Sequence, residues 1–181
     1  MTHHSNVVLI GFKSCGKTTA GRVVAQSLHK RFVDLDETVE REINRELGRN
    51  CTCADYYAQY GAASFRKVEQ RALQHHRHDS NIVLATGGGA PVDSMNRKLL
   101  KEIGTVCYIK TPPHVLLARY EQTRMPPFLE DEPTLEALTR IWRKRDEAYR
   151  CIAELVLEAG ELPAHEVARL LMHMLAGEAG R

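Results

Sequence analysis

Short apolar runs alternating with longer stretches of helical spacing leave this chain few ways to fold. The runs lie at 7–10, 31–34, 82–85, 105–109 and, more weakly, 155–157, and their length and residue types predict strands. Between and after them, helical spacing predicts helices at about 17–29, 37–47, 53–60, 64–76, 93–102, 113–119, 134–151 and 163–175. Short hydrophobic strands separated by helices indicate a parallel sheet buried on both faces. Right-handed crossovers then bring ligands to the carboxyl ends of the strands. The 181 residues contain no repeat or long linker and suit one domain, 1–181.

Two segments interrupt the alternation. Residues 120–133 carry Pro126, Pro127 and Pro133 among charged side chains, which predicts a mobile lid or a disordered segment rather than a helix or central strand. Residues 48–62, with Gly48 and Gly61 around two short helical turns, predict an excursion off the sheet. With the second strand's end it makes an acceptor-binding region at about 34–62.

Charge and composition narrow the function. The net charge is +2 and the basic residues are dispersed, which argues against a nucleic-acid surface. No apolar run approaches the roughly 20 residues that span a bilayer, so the expectation is a cytoplasmic protein without membrane contact, and a monomer. The five cysteines form no disulfide pattern, and Cys51 and Cys53 lack a second pair for zinc. His75, His76 and His78 read as solvated residues of a helix tail.

The strongest local signal is Gly11-Phe12-Lys13-Ser14-Cys15-Gly16-Lys17-Thr18, a G-x-x-x-x-G-K-[ST] loop between a strand and a helix. Gly11 and Gly16 let backbone N–H groups turn inward around phosphate oxygens, and the helix dipole favours the same anion. Ser14, Cys15 and Thr19 complete the nucleotide loop. Lys17 is placed to neutralise the β- and γ-phosphates of ATP, and Thr18 to hold Mg²⁺.

Three further motifs follow strands or open helices. Strand alternation would point Asp34 and Asp36 of Asp34-Leu35-Asp36 to one side. One would organise Mg²⁺, and the other would accept a proton or orient an attacking hydroxyl; helix capping is the plainer alternative. Arg66 suits a carboxylate ligand, although an ion pair with Glu69 explains the spacing equally well. Gly87, Gly88 and Gly89, after Thr86, allow close approach of a ligand to the main chain, or simply a flexible turn.

In this order, these elements resemble shikimate kinase, of the nucleoside-monophosphate-kinase-like P-loop family. The resemblance runs from about Val8 to Pro163 and includes Gly21-Arg22, Asn96-Arg97, Leu116 to Arg119, and Arg145 with Tyr149. It implies a three-layer α/β/α P-loop kinase fold with a central five-stranded parallel sheet, and a role in aromatic amino-acid biosynthesis. It also implies phosphorylation of the 3-hydroxyl of shikimate by ATP and Mg²⁺. Asp36, Arg66, Gly88 and Arg145 would hold shikimate, with Gly87 and Gly89 beside them. Asp34 would serve the metal, and Arg119 would flank the adenine and phosphates.

Two departures stand out. The arginine of the family's lid pattern Arg-Pro-Leu-Leu falls, ungapped, on Pro126, and Arg124, two residues earlier, is the expected substitute. Ala62 stands where the family usually has Glu. The alternatives are a related small-molecule kinase, such as one for gluconate, or a regulatory module that binds shikimate without efficient transfer.

Overall fold

The computed structural model describes residues 6–179, so the first five and last two residues of the expected domain lie outside the described residues. β1 (Val7–Ile10), β2 (Arg31–Asp34), β3 (Ile82–Ala85), β4 (Thr105–Lys110) and β5 (Leu155–Glu158) form one sheet in the order β2-β3-β1-β4-β5. Every pairing is parallel, with Val7 opposite both Val83 and Thr105. All residues of β1 and β3 are buried, which explains their unbroken apolar runs. The edge strands β2 and β5 expose Arg31 and Glu158.

The helices are α1 (Lys17–Ser27), α2 (Leu35–Leu47), α3 (Cys53–His76), α4 (Ser94–Ile103), α5 (Pro113–Gln122), α6 (Leu135–Arg150) and α7 (Ala164–Ala179). α1 packs on α7, while α3 packs on α4 and α5 on α6. Right-handed crossovers place α1 and α7 on one face and α3, α4 and α6 on the other. The connections leaving β1 and β3 therefore depart to opposite faces. The crevice between these neighbouring strands is the sheet's switch point, where open α/β sheets bind ligands.

Three expectations change. The two helical segments expected at 53–60 and 64–76 run together as α3, with a break in direction at Gly61 (φ 78°, ψ 173°). Helix α5 continues to Gln122 because the first proline of the lid segment arrives only at Pro126. The segment then makes a short 3₁₀ turn, Pro127–Leu129, anchored by buried Leu129 and by Phe128 edge-on to Phe12. His76 is not a solvated residue of a helix tail. It is 6% exposed, with Nε2 3.0 Å from the Thr38 hydroxyl and Nδ1 2.8 Å from Asp79, because the end of α3 lies against α2.

Candidate active site

The loop between β1 and α1 is shaped by three left-handed or extended positive-φ positions: Gly11 (φ 148°), Ser14 (φ 63°) and Gly16 (φ 97°). A Cβ on Gly11 would meet the Ile109 carbonyl at 2.6 Å, so packing as well as backbone angle demands glycine there. Lys17 is 7% exposed, and its Nζ donates to the Gly11 and Phe12 carbonyls at 2.9 and 2.6 Å. The ammonium is thus held against the loop by bonds that an incoming phosphate can replace.

Thr18 Oγ1 donates to Asp34 Oδ2 at 3.2 Å. A hydroxyl and a carboxylate side by side at the phosphate loop fit a hard divalent cation such as Mg²⁺, which keeps most of its waters. Arg119, from α5, donates to the Ser14 carbonyl at 3.0 Å. It lines a cavity of about 250 Å³ with Ser14, Cys15, Gly16 and the 161–164 segment. A second recess, of about 260 Å³, is lined by Ser14, Gly16, Lys17, Thr18 and Thr19. All the residues expected to bind nucleotide therefore surround one continuous loop.

Asp34 and Asp36 do meet at the site, but not through strand alternation. The strand ends at Asp34, whose Oδ1 caps α2 by accepting the Asp36 N–H at 3.0 Å. Asp36 then reaches the site from the first turn of that helix. Its carboxyl is shifted upward, first by desolvation and then by Asp34, with Lys17 and Lys13 opposing the shift. The residue is open to solvent through the cavity mouth. Water there tempers the upward shift, and a ligand that displaces it strengthens the shift.

A cavity of about 370 Å³ opens beside the phosphate loop, within the 300–1,000 Å³ or so of small-molecule sites. Asp36, Arg66, Gly87, Gly88, Gly89 and Arg145 all line it. A Cβ on Gly87 would lie 2.6 Å from Asp36 Oδ1, and one on Gly89 would collide with Arg66 Nη2. The glycines therefore leave room for the carboxylate and the guanidinium. Arg66 also pairs with Glu69 at 2.5 Å, so the ion pair and the cavity role coexist. Buried Glu69 accepts from Asn96 Nδ2 at 2.6 Å, and burial raises its pKa against the pull of Arg66. Arg145 lies over the rings of Phe12 and Phe128, 5.1 and 4.5 Å from their centroids.

Several participants carry no motif. Lys13, Tyr57 and Phe128 line the cavity; Tyr149, already marked beside Arg145 in the sequence, clamps its floor by donating to the Gly88 carbonyl at 2.5 Å. Arg124 is exposed on the lid segment and Ala62 is exposed beside the Gly61 break; neither lines the cavity. Pro126 is buried where the lid arginine was expected.

A cavity with two guanidinium groups and a carboxylate beside a phosphate loop suits a small hydroxylated acid. A family model described as "Shikimate kinase" matches residues 13–176. The chain belongs to the shikimate kinase family. A shikimate kinase of Psychrobacter cryohalolentis is 35% identical over 170 residues, covering 93% of this chain and 88% of that one. One from Tolumonas auensis is 34% identical over 176 residues, covering 97% and 99%. The solved shikimate kinase of Acinetobacter baumannii, in complex with shikimate, superposes with a TM-score of 0.85 at 30% identity, covering 97% of this chain and 94% of that one. The activity is that of a shikimate kinase, a phosphotransferase acting on an alcohol group with ATP as donor. Among the described residues no helix is long and apolar enough to cross a membrane.

Proposed function

We propose that this chain transfers the γ-phosphoryl group of ATP·Mg²⁺ to the 3-hydroxyl of shikimate, as a cytoplasmic monomer. The observation that carries this reading is the acceptor cavity, where Asp36, Arg66 and Arg145 converge beside the phosphate loop. Arg66 and Arg145 would grip the substrate carboxylate, and Asp36 would orient the attacking hydroxyl and take its proton. The backbone N–H groups of 11–18 cradle the phosphates, while Lys17 neutralises the oxygens of the leaving and transferring groups. Thr18 and Asp34 would hold Mg²⁺, which supplies further charge neutralisation at the phosphates. The new oxygen–phosphorus bond forms as the bond to ADP breaks, and positioning with charge neutralisation supplies most of the rate.

The direct test is coupled ADP release with ATP and Mg²⁺, with and without shikimate. The expected result is release that depends on shikimate and is lost on chelation of magnesium. Shikimate binding without turnover would instead mark a binding module, and turnover with gluconate alone a different acceptor.

Arg124 is the lid's own cation in this proposal, reaching the transferring phosphate only when the segment swings inward. Arg124→Ala is then expected to lower kcat at least about tenfold in the same assay, a modest share of what a catalytic arginine contributes. Unchanged turnover would remove it from the mechanism.

A further inference from the structure

Three cations line the acceptor cavity: Lys13, Arg66 and Arg145. Two are engaged by protein already, Arg66 by Glu69 and Arg145 by the rings of Phe12 and Phe128. Lys13 differs. It is exposed, and among the described residues no carboxylate lies within ion-pair distance of its ammonium.

Its backbone, by contrast, is fixed on two sides. The Lys13 carbonyl accepts the hydroxyl of Tyr120, itself 1% exposed, at 2.9 Å. A Cβ on Gly88 would stand 3.0 Å from the Lys13 nitrogen, so the glycine run packs directly on this peptide. A long flexible cation thus springs from a rigid point. Of the phosphate-loop residues 11–18, Lys13 is the one that lines the acceptor cavity, and it lines neither nucleotide-side recess. It stands at the boundary that the phosphoryl group crosses.

The charge requirements of the transfer are unequal on the two sides of this boundary. Lys17 neutralises from the nucleotide side. On the acceptor side Arg66 and Arg145 are assigned to the substrate carboxylate, and buried Pro126 brings no charge. We propose that Lys13 is the acceptor-side clamp on the transferring phosphate. Its ammonium pairs with the phosphoryl oxygens during transfer and stays with them on the product until release. It keeps its own proton throughout, while the hydroxyl proton passes to Asp36. The Lys13 charge already reaches that carboxylate, where it opposes the burial-driven rise in pKa.

This inference rests on the shikimate kinase reading, and the test separates the two. Wild type, Lys13→Ala and Lys13→Arg are titrated calorimetrically with shikimate and with shikimate 3-phosphate, and their steady-state kinetics are measured. Lys13→Ala should bind shikimate within about twofold of wild type but shikimate 3-phosphate at least about tenfold more weakly, as loss of a charge-assisted contact predicts. Its kcat should fall about a hundredfold with little change in the KM for shikimate, and Lys13→Arg should recover most of both losses. If Lys13→Ala weakens both ligands equally, or neither, the clamp is overturned and the shikimate reading stands. A wild-type chain that binds neither ligand overturns both.

Discussion

Lys17→Ala should cut shikimate-dependent ADP release by at least about a thousandfold, roughly 4 kcal/mol of transition-state stabilisation. The expectation follows from where the ammonium is stored. It sits buried in the loop's concavity, bonded to the Gly11 and Phe12 carbonyls, and a phosphate entering that concavity offers a stronger, charged acceptor. Arginine should not rescue it, because a planar fork does not fit a space shaped for a compact ammonium. The fold should survive, since the loop's course is set by the positive-φ positions Gly11, Ser14 and Gly16 and not by the lysine side chain. The check pairs coupled kinetics with thermal unfolding. A variant that melts like wild type and turns over within tenfold of it would mean that the phosphate binds elsewhere.

How far the sequence reveals this site depends on what each feature rests upon. Strands β1 and β3 are legible because both faces are covered, so every residue of each run must be apolar. The phosphate loop is legible because its glycines answer to backbone angle and close packing that other residues cannot meet. Asp34 and Asp36 are found together for a different reason from the one their spacing suggests. The alternation argument assumes that the strand continues, but Asp34 ends it by capping α2. Both patterns bring the carboxylates to one place, and only the capped turn lets Asp36 face Gly87. Lys13 is invisible because it occupies a free position of its motif. What gives it meaning is Gly88 packed on its nitrogen, from the turn after β3, 75 residues downstream. Tyr120 is hidden likewise, since it acts through a hydroxyl bonded to main chain distant in sequence; Tyr149 is marked by the resemblance, but its bond to the Gly88 carbonyl is not. His76 misled in the opposite direction. Its polar neighbours describe the exposed side of α3, whereas its own side chain turns inward to Thr38 and Asp79.

Asp36→Asn should lower kcat by about 10²–10⁴, the range over which a positioned general base acts. The substitution keeps the shape of the side chain and removes its capacity to take a proton. If Asp36 served only to hold ring hydroxyls, the loss would appear in KM with kcat nearly intact. Wild type adds a second signature. Desolvation, then repulsion by Asp34, raises the Asp36 pKa, so the acidic limb of kcat/KM should lie above the ordinary carboxylate value of about 3.9. The same shift fixes the sign of the stability effect. A carboxyl whose pKa is raised by folding favours the folded state while protonated, and that contribution is lost as pH rises through the folded value. At neutral pH the ionised Asp36 therefore opposes folding, and Asp36→Asn should melt at a higher temperature than wild type. Below about pH 4, where the wild-type carboxyl is protonated in both states, the advantage should vanish. An asparagine variant that loses turnover without gaining stability at pH 7 would mean that the carboxylate is already fully compensated by Lys17 and Lys13. One that gains stability and keeps its kcat would exclude Asp36 as the base and leave the hydroxyl proton to solvent.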